Sequence, residues 1–275
     1  MGTAPRQIIR DIMAVSVTAV FVLPILWWGL SSITPNDVLL DPRRFLTLDF
    51  TPTFRHYALA ILGAGGTVYD SRDSLVDSVI VALLSTAAVL VAALPMAHAL
   101  SVFRFRGRQL AFRSLLLQRA VPPIVIVFPL VITYHRLGML DSHIGLALAH
   151  AAINLPFAVL VLKSFFDEIP PEVREAAYLD GATPLQAFLR ISLPLIKGGI
   201  AATAILAFIF SWTEFLLSLF LTQNMRLMPV QAAILIMNMW GLVAALTTTA
   251  LLPAFIFILF VQRHLVRGFT LGLAK

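Results

Sequence analysis

The sequence predicts an all-α integral membrane protein with six transmembrane helices and both termini in the cytoplasm. Three observations lead there: an apolar composition, six apolar runs of spanning length, and a strong bias of basic residues to one side. Hydrophobic residues make up 59% of the 275 and charged residues only 12%. Mean hydropathy is +0.91, more apolar surface than one soluble core can hide. Backbone groups have no water partner in lipid, so the runs are expected as helices rather than open strands. A net charge of +6 would suggest nucleic acid in a soluble domain. Here it reads as Arg and Lys retained on the cytoplasmic face, with no nucleic-acid partner. The chain has no cysteine, which excludes disulfides, thiolate zinc sites and a cysteine nucleophile.

A helix needs about 20 apolar residues to cross the hydrocarbon. The first run, 12–33, is longer than a signal-peptide core and has no small-residue cleavage pattern behind it, so it reads as a retained span. An outer loop follows over 34–74, its turns marked by Pro35, Asp41-Pro42, Pro52, Gly63 and Gly65-Gly66. It suits either a solvated connector with short helices or a docking surface. The other spans are expected at 75–103, 111–134, 143–166, 199–222 and 242–262, in one transmembrane domain covering 1–275. Pro24, Pro95, Pro122, Pro123, Pro129, Pro156 and Pro253 fall inside these runs and are expected to kink rather than end them, neighbouring helices repairing the freed carbonyls. The stretch from Leu227 to Val261 is too long for one crossing and is interrupted by Asn238 and Gly241. It divides into a short dipping helix over 229–240 and the sixth span.

Orientation follows from the basic residues. With the N-terminus inside, Arg6, Arg10, Arg104, Arg106, Arg108, Arg113, Arg174, Arg190, Lys197, Arg263, Arg267 and Lys275 share one side. The opposite side keeps Arg43, Arg44, Arg55, Arg72, Arg136 and Arg226, mostly beside Asp37, Asp41, Asp49, Asp70 and Asp73. The richer side is the cytoplasm.

Residues 167–198 form the longest polar interruption in the second half of the chain. Asp167-Glu168-Ile169-Pro170-Pro171 makes a sharp exit from span four. Pro171 suits a first helical turn, with Glu172 and Glu175 near its positive end. The helix is expected to run to about Asp180 and stop at Gly181, a left-handed C′ residue. Thr183 then reads as an N-cap, Pro184 as N1 and Gln186 as N3, a capping box. The second helix is expected to end near Ile191, before Pro194. Ala176 and Ala177 allow close approach by another protein, while Val173, Leu179, Leu185, Phe188 and Leu189 supply an apolar face. A capped connector packing under the bundle is the plainer reading; a docking surface explains why the shape is so carefully specified.

Glu175-Ala176-Ala177, three residues, Gly181, nine residues, Ile191-Ser192-Leu193-Pro194 resembles the EAA signature of bacterial ABC-importer permeases at every defined position. Flanking stretches resemble the maltose-type carbohydrate importers: Ser32–Pro35, Phe103–Arg108, Pro122-Pro123, Arg136–Ser142, Asp180–Pro184 and Phe210–Phe215. The tail Gly268–Lys275 is similar to the family's C-terminal motif but lacks its final glycine. The resemblance implies a type I ABC-importer transmembrane domain in a bacterial inner membrane. It places a coupling helix at Glu175, Ala176, Ala177, Asp180 and Gly181, tied to span five by Ile191, Leu193 and Pro194. Thr270, Gly272 and Lys275 are a further ATPase contact by the same resemblance, and Gln223, Asn224 and Arg226 a contact for the binding protein. The implied partners are two ABC ATPase subunits, a second and different permease chain, an external solute-binding protein and membrane lipid. ATP and Mg would be bound by the ATPases; no cofactor or metal is expected in this chain.

Ionisable groups inside a span need a reason, since each costs about 2.5–3.5 kcal/mol at a helix centre by insertion scales. Arg119 either snorkels to the inner interface or faces the translocation cavity, where an anionic sugar would become the natural cargo. Glu214 and Asn154 either hold helices together or line the same cavity. Trp212, Trp240, Tyr134 and Phe210 could stack on sugar rings, although interfacial aromatics are normally anchors. His135, His143 and His150 read as interface or packing residues.

No Gly-x-x-x-x-Gly-Lys-Ser/Thr phosphate loop is present, so the chain is expected to be a non-catalytic subunit. An intramembrane enzyme would want a motif such as His-Glu-x-x-His, and none occurs. An importer for a non-carbohydrate or anionic polar solute is the alternative. An ion-coupled carrier or channel is more remote, since Glu214 is its one support.

Overall fold

The computed structural model describes residues 4–64, 70–235 and 239–272, with the backbone alone at 4–6, 8, 9, 257, 258 and from residue 260 onward. Every regular element among these residues is a helix. In chain order they are α1 (Ala4–Ser32), α2 (Asn36–Leu39), α3 (Pro42–Leu46), α4 (Arg55–Ile61), α5 (Arg72–Val102), α6 (Arg108–Ala120), α7 (Pro123–Leu137) and α8 (His143–Asp167). After these come α9 (Pro171–Leu179), α10 (Pro184–Ala187), a π-helical turn (Phe188–Ser192), α11 (Leu193–Leu195), α12 (Lys197–Trp212), α13 (Leu216–Leu221), α14 (Met228–Leu235) and α15 (Trp240–Gly272). The chain divides into two compact units, 1–73 with 231–252 and 74–230 with 253–275.

In the first unit α1 leaves most of its apolar length uncovered, Val20, Phe21 and Leu26 included. The outer loop is built as expected from turns and short helices. Asp41 caps α3 by accepting from the Arg43 N–H at 3.0 Å. Phe45 is buried, with Trp27 edge-on to it at 4.5 Å between ring centroids. The buried His56 imidazole bonds the Thr34 carbonyl through Nε2 at 2.9 Å. Gly241 lies against that ring so closely that any Cβ would collide with it. Asn238, half of the predicted interruption, lies outside the described residues; Gly241 falls in the first turn of α15 rather than in a break.

The second unit is organised on α5, α8 and α12. Val89, Ala93, Ala97 and Leu100 of α5 share a core with Ala158, Val159, Leu162 and Phe166 of α8 and Ala207 of α12. Small residues let backbones approach where lipid supplies no hydrophobic drive. Gly199 shows the limit: a Cβ there would enter the Phe165 ring. A second core joins Val127 and Tyr134 of α7 to Leu146 and Ala149 of α8 and to Leu217 and Leu221 of α13.

Among the described residues three helices are long and apolar enough to span alone: residues 10–32 of α1, α5 and α8. Two other expected spans differ from simple rods. The run 111–134 holds α6 and α7, which meet at 96°. Pro122 and Pro123 end the helix here instead of kinking it. Pro123 drives Pro122 into extended backbone (φ −61°, ψ 135°), because a residue before proline is disfavoured in the helical region. The other five span prolines lie inside helices. The run 199–222 is likewise broken, α12 ending at Trp212 and α13 starting at Leu216.

Neighbour repair of a proline is visible at Pro156. Its missing N–H leaves the Ala152 carbonyl without a helical donor, and Gln118 Nε2 of α6 donates to that oxygen at 3.1 Å.

Candidate functional site

The polar module between α8 and α12 follows its local sequence closely. Pro171 opens α9, and Gly181 adopts φ +84° two residues past its end. That left-handed conformation costs a residue with a Cβ about 1–2 kcal/mol. The capping box is complete: Gln186 N–H donates to Thr183 Oγ1 at 3.3 Å, and Thr183 N–H to Gln186 Oε1 at 2.9 Å. The second helix continues past Ile191, contrary to expectation. Residues Phe188–Ser192 widen into a π turn and Leu193–Leu195 follow, so Pro194 lies in a helical turn rather than after a break. A widened turn relieves the clash of a proline ring with the preceding carbonyls. The chain bends instead at Ile196, where this segment meets α12 at 77°.

The predicted apolar face divides in two. Phe188 faces the bundle, its ring 4.7 Å from His98 of α5 and 6.3 Å from Phe166 of α8. Leu179, Leu185 and Leu189 stay 89%, 64% and 51% exposed. Glu175 and Ala176 are exposed beside them, whereas Ala177 is buried. The module is therefore anchored by one aromatic wedge and presents leucines with nothing over them.

A second site lies between the helix breaks. A cavity of about 320 Å³ is lined by Arg119, Pro123, Asn154, Phe210 and Glu214 among others. It gathers three of the four predicted cavity residues. The fourth, Trp212, is buried and stacks on Phe208 at 5.8 Å, and it does not line the cavity. Tyr134 is buried in the α7–α8–α13 core, while Phe210 lines the cavity. Arg119 lies in the last turn of α6, over Phe157 at 5.1 Å and Phe210 at 5.7 Å. Phe157 is near the middle of α8, so the guanidinium stands far from either helix end. Among the described residues no carboxylate pairs with it.

Glu214 is committed to structure. Its carboxylate accepts from the N–H groups of Leu217 (3.0 Å) and Ser218 (3.2 Å), capping α13. The same carboxylate meets His150 Nε2 at 3.3 Å. His150 is wholly buried and bonds Ser211 Oγ through Nδ1 at 2.8 Å. The break in the fifth span is thus filled by a carboxylate, a histidine and two hydroxyl groups. His143, by contrast, pairs with Asp77 of α5 at 2.7 Å.

The outer residues Gln223 and Asn224 belong to a loop built around Asp141, which sequence reasoning passed over as part of a longer motif. The Asp141 carboxylate accepts from the N–H groups of Gln223 (2.9 Å), Asn224 (3.1 Å) and Met225 (2.9 Å), and from Asn224 Nδ2 at 2.7 Å. Burial raises its pKa, but these donors outweigh it and hold the carboxyl below its usual value. Arg226 follows directly in the chain. Of the predicted C-terminal contact, Thr270 and Gly272 fall in the backbone of α15, and Lys275 lies outside the described residues.

Comparison with known proteins agrees with this architecture. Residues 87–271 match the family described as binding-protein-dependent transport system inner membrane component. The trehalose transport system permease protein SugB of Mycobacterium tuberculosis is 32% identical over 262 residues, covering 92% of each chain. The diacetylchitobiose uptake system permease protein DasC of Streptomyces coelicolor is 29% identical over 271 residues, covering 96% of each. A crystal structure of a bacterial ABC transporter involved in import of the acidic polysaccharide alginate has a chain of the same fold. Its TM-score is 0.76 at 21% identity, covering 94% of this chain and 96% of that one. The chain belongs to the binding-protein-dependent transport system inner membrane components, the permeases of ABC transporters.

Proposed function

We propose that this chain is the permease subunit of an ATP-driven importer that carries a carbohydrate, delivered by a solute-binding protein, into the cytoplasm by alternating access. The observation that carries the reading is the module over 167–198: rigidly capped, wedged into the bundle by Phe188, and presenting uncovered leucines beside Glu175. The names of the trehalose and diacetylchitobiose relatives support a carbohydrate cargo. The basic bias supports placing the module and both termini in the cytoplasm.

In this mechanism two ATPase subunits bind ATP and Mg, close on each other and push the coupling helices of two different permease chains. Glu175, Ala176, Ala177, Asp180 and Gly181 form the pushed surface; Ile191, Leu193 and Pro194 belong to the link into α12. Thr270, Gly272 and Lys275 add a second contact with the ATPases. Phe188 transmits displacement to the inner ends of α5 and α8, and the bend at Ile196 passes it into α12. The far end of α12 reaches the Glu214–His150 cluster and the cavity. Two broken spans meeting at one polar cavity is the arrangement by which transporters place a substrate site near the midplane. Arg119 and Asn154 offer the cargo hydrogen bonds there, Phe210 an aromatic face. Gln223, Asn224 and Arg226 meet the binding protein outside.

Co-purification of the chain with its ATPase, repeated with Glu175→Ala and Gly181→Val together, tests the coupling role. Loss of ATPase association with the chain still inserted in the membrane is expected. An intact complex that still transports refutes it.

A further inference from the structure

Where α5 ends and α6 begins, side chains of opposite character face one recess of about 550 Å³. Arg108, Arg113 and Lys163 supply its charge, and Leu100, Phe112 and Leu116 its apolar wall. Arg108 continues into an adjoining recess with Arg104 and Arg106. Against these five cations stands one carboxylate, Asp167, already taken by Lys163 Nζ at 2.5 Å and by Ser101 Oγ at 2.6 Å. Arg108 gives one N–H to the Ser101 carbonyl at 3.3 Å, leaving its other donors unspent. Arg113 pairs with no carboxylate among the described residues.

The surroundings say which anion fits. Phe103, Phe105, Leu110 and Leu117 are exposed between the arginines. A free phosphate or an acidic peptide has no use for an apolar wall beside the charge. A phospholipid has both parts, a phosphate for the guanidinium groups and acyl carbons for Leu100, Phe112 and Leu116. Arginine and lysine with long apolar stems suit that boundary, and clefts of this kind on the cytoplasmic side hold anionic head groups.

We propose that this recess binds the phosphate of an anionic glycerophospholipid of the inner leaflet, which pins α6 to the inner ends of α5 and α8. The site rests on the proposed orientation and on nothing else in the transport mechanism. α6 buries none of its own side chains and meets α8 through Gln118 on the Ala152 carbonyl and Lys163 over the Phe112 ring at 5.5 Å, so a lipid shared between Arg108, Arg113 and Lys163 reinforces a thin seam. Each arginine near an anionic membrane surface contributes about 1 kcal/mol, so neutralising two is expected to weaken retention about thirtyfold.

The intact importer complex, delipidated in detergent and then exposed to phosphatidylglycerol or phosphatidylcholine, provides the test, with bound lipid counted by native mass spectrometry. Wild type and the Arg136→Gln control should retain phosphatidylglycerol over phosphatidylcholine, and Arg108→Gln/Arg113→Gln should lose it. Equal retention in the double variant overturns the site. Displacement of the lipid by inorganic phosphate at equal concentration makes it a free-phosphate site and also overturns the lipid assignment. A double variant that keeps its lipid but sheds the ATPase assigns the recess to a protein partner instead. Because the chain has no cysteine, Arg106→Cys tests orientation separately. Labelling of intact cells by an impermeant maleimide places that residue outside and removes the premise, whatever the lipid result.

Discussion

Asp141 shows how much one side chain can order. It receives three consecutive backbone N–H groups and an amide, all from residues 82–84 positions away. Its carboxyl is held below its usual value, so the ionised clamp adds stability above the unfolded pKa and loses it as pH falls through the lowered folded value. Asp141→Asn removes the charge and is expected to speed amide exchange at Gln223, Asn224 and Met225 at neutral pH. The variant should also lose the acid-induced loosening expected of wild type as pH falls through the lowered value. Unchanged protection in the variant would mean the loop is held by something else. Glu214 is a second case of a carboxylate occupied by N–H groups, here with a buried histidine. Sequence reasoning left it as either helix tie or cavity wall, because an ionisable group inside a span requires partners; here it ties helices and also borders the cavity. His150, read as packing, proved to be one of those partners. Nothing local marks it, since Glu214 and Ser211 come to it from more than 60 residues away.

Elements were legible where their signals are local. Pro171, Gly181, Thr183 and Gln186 lie within 16 positions and fix three helix boundaries almost to the residue. The broken spans were not legible, because hydropathy counts apolar side chains and is blind to backbone direction. Pro122-Pro123 was visible as a pair, but only the extended conformation of Pro122 converts it from kink to corner. The Gln118–Ala152 bond ties α6 to the proline kink of α8. Gln118→Ala strips the carbonyl of its donor and is expected to destabilise by about 0.5–1.5 kcal/mol, the net worth of one hydrogen bond between exposed residues. Pro156→Ala restores a backbone N–H at that point, so the double variant should recover part of the loss in thermal unfolding. Additive losses would show that the bond does not serve the kink.

At the scale of the whole molecule, composition and apolar run lengths read a multi-span membrane protein, and the importer permease is read from the resemblance of Glu175–Pro194 to the EAA signature. They do not show that two of its spans break beside one cavity. That gathering depends on α6 running along α8 until Arg119 stands over Phe157, a register no single segment encodes. If Arg119 contacts cargo, Arg119→Leu should lower uptake about tenfold or more while ATPase association stays intact, a loss of about 1.4 kcal/mol in transition-state free energy. Unchanged uptake would confine Arg119 to helix packing. The uncovered length of α1 has a consequence of another kind. A helix that shows lipid nearly all its apolar side chains gains little hydrophobic drive from its own bundle, because acyl chains are as apolar as leucine. How firmly it joins anything is then set by crowding within the bilayer, counted in proteins per lipid rather than per litre. Dilution with added lipid, not heat or denaturant, is the gentlest way to set that helix loose.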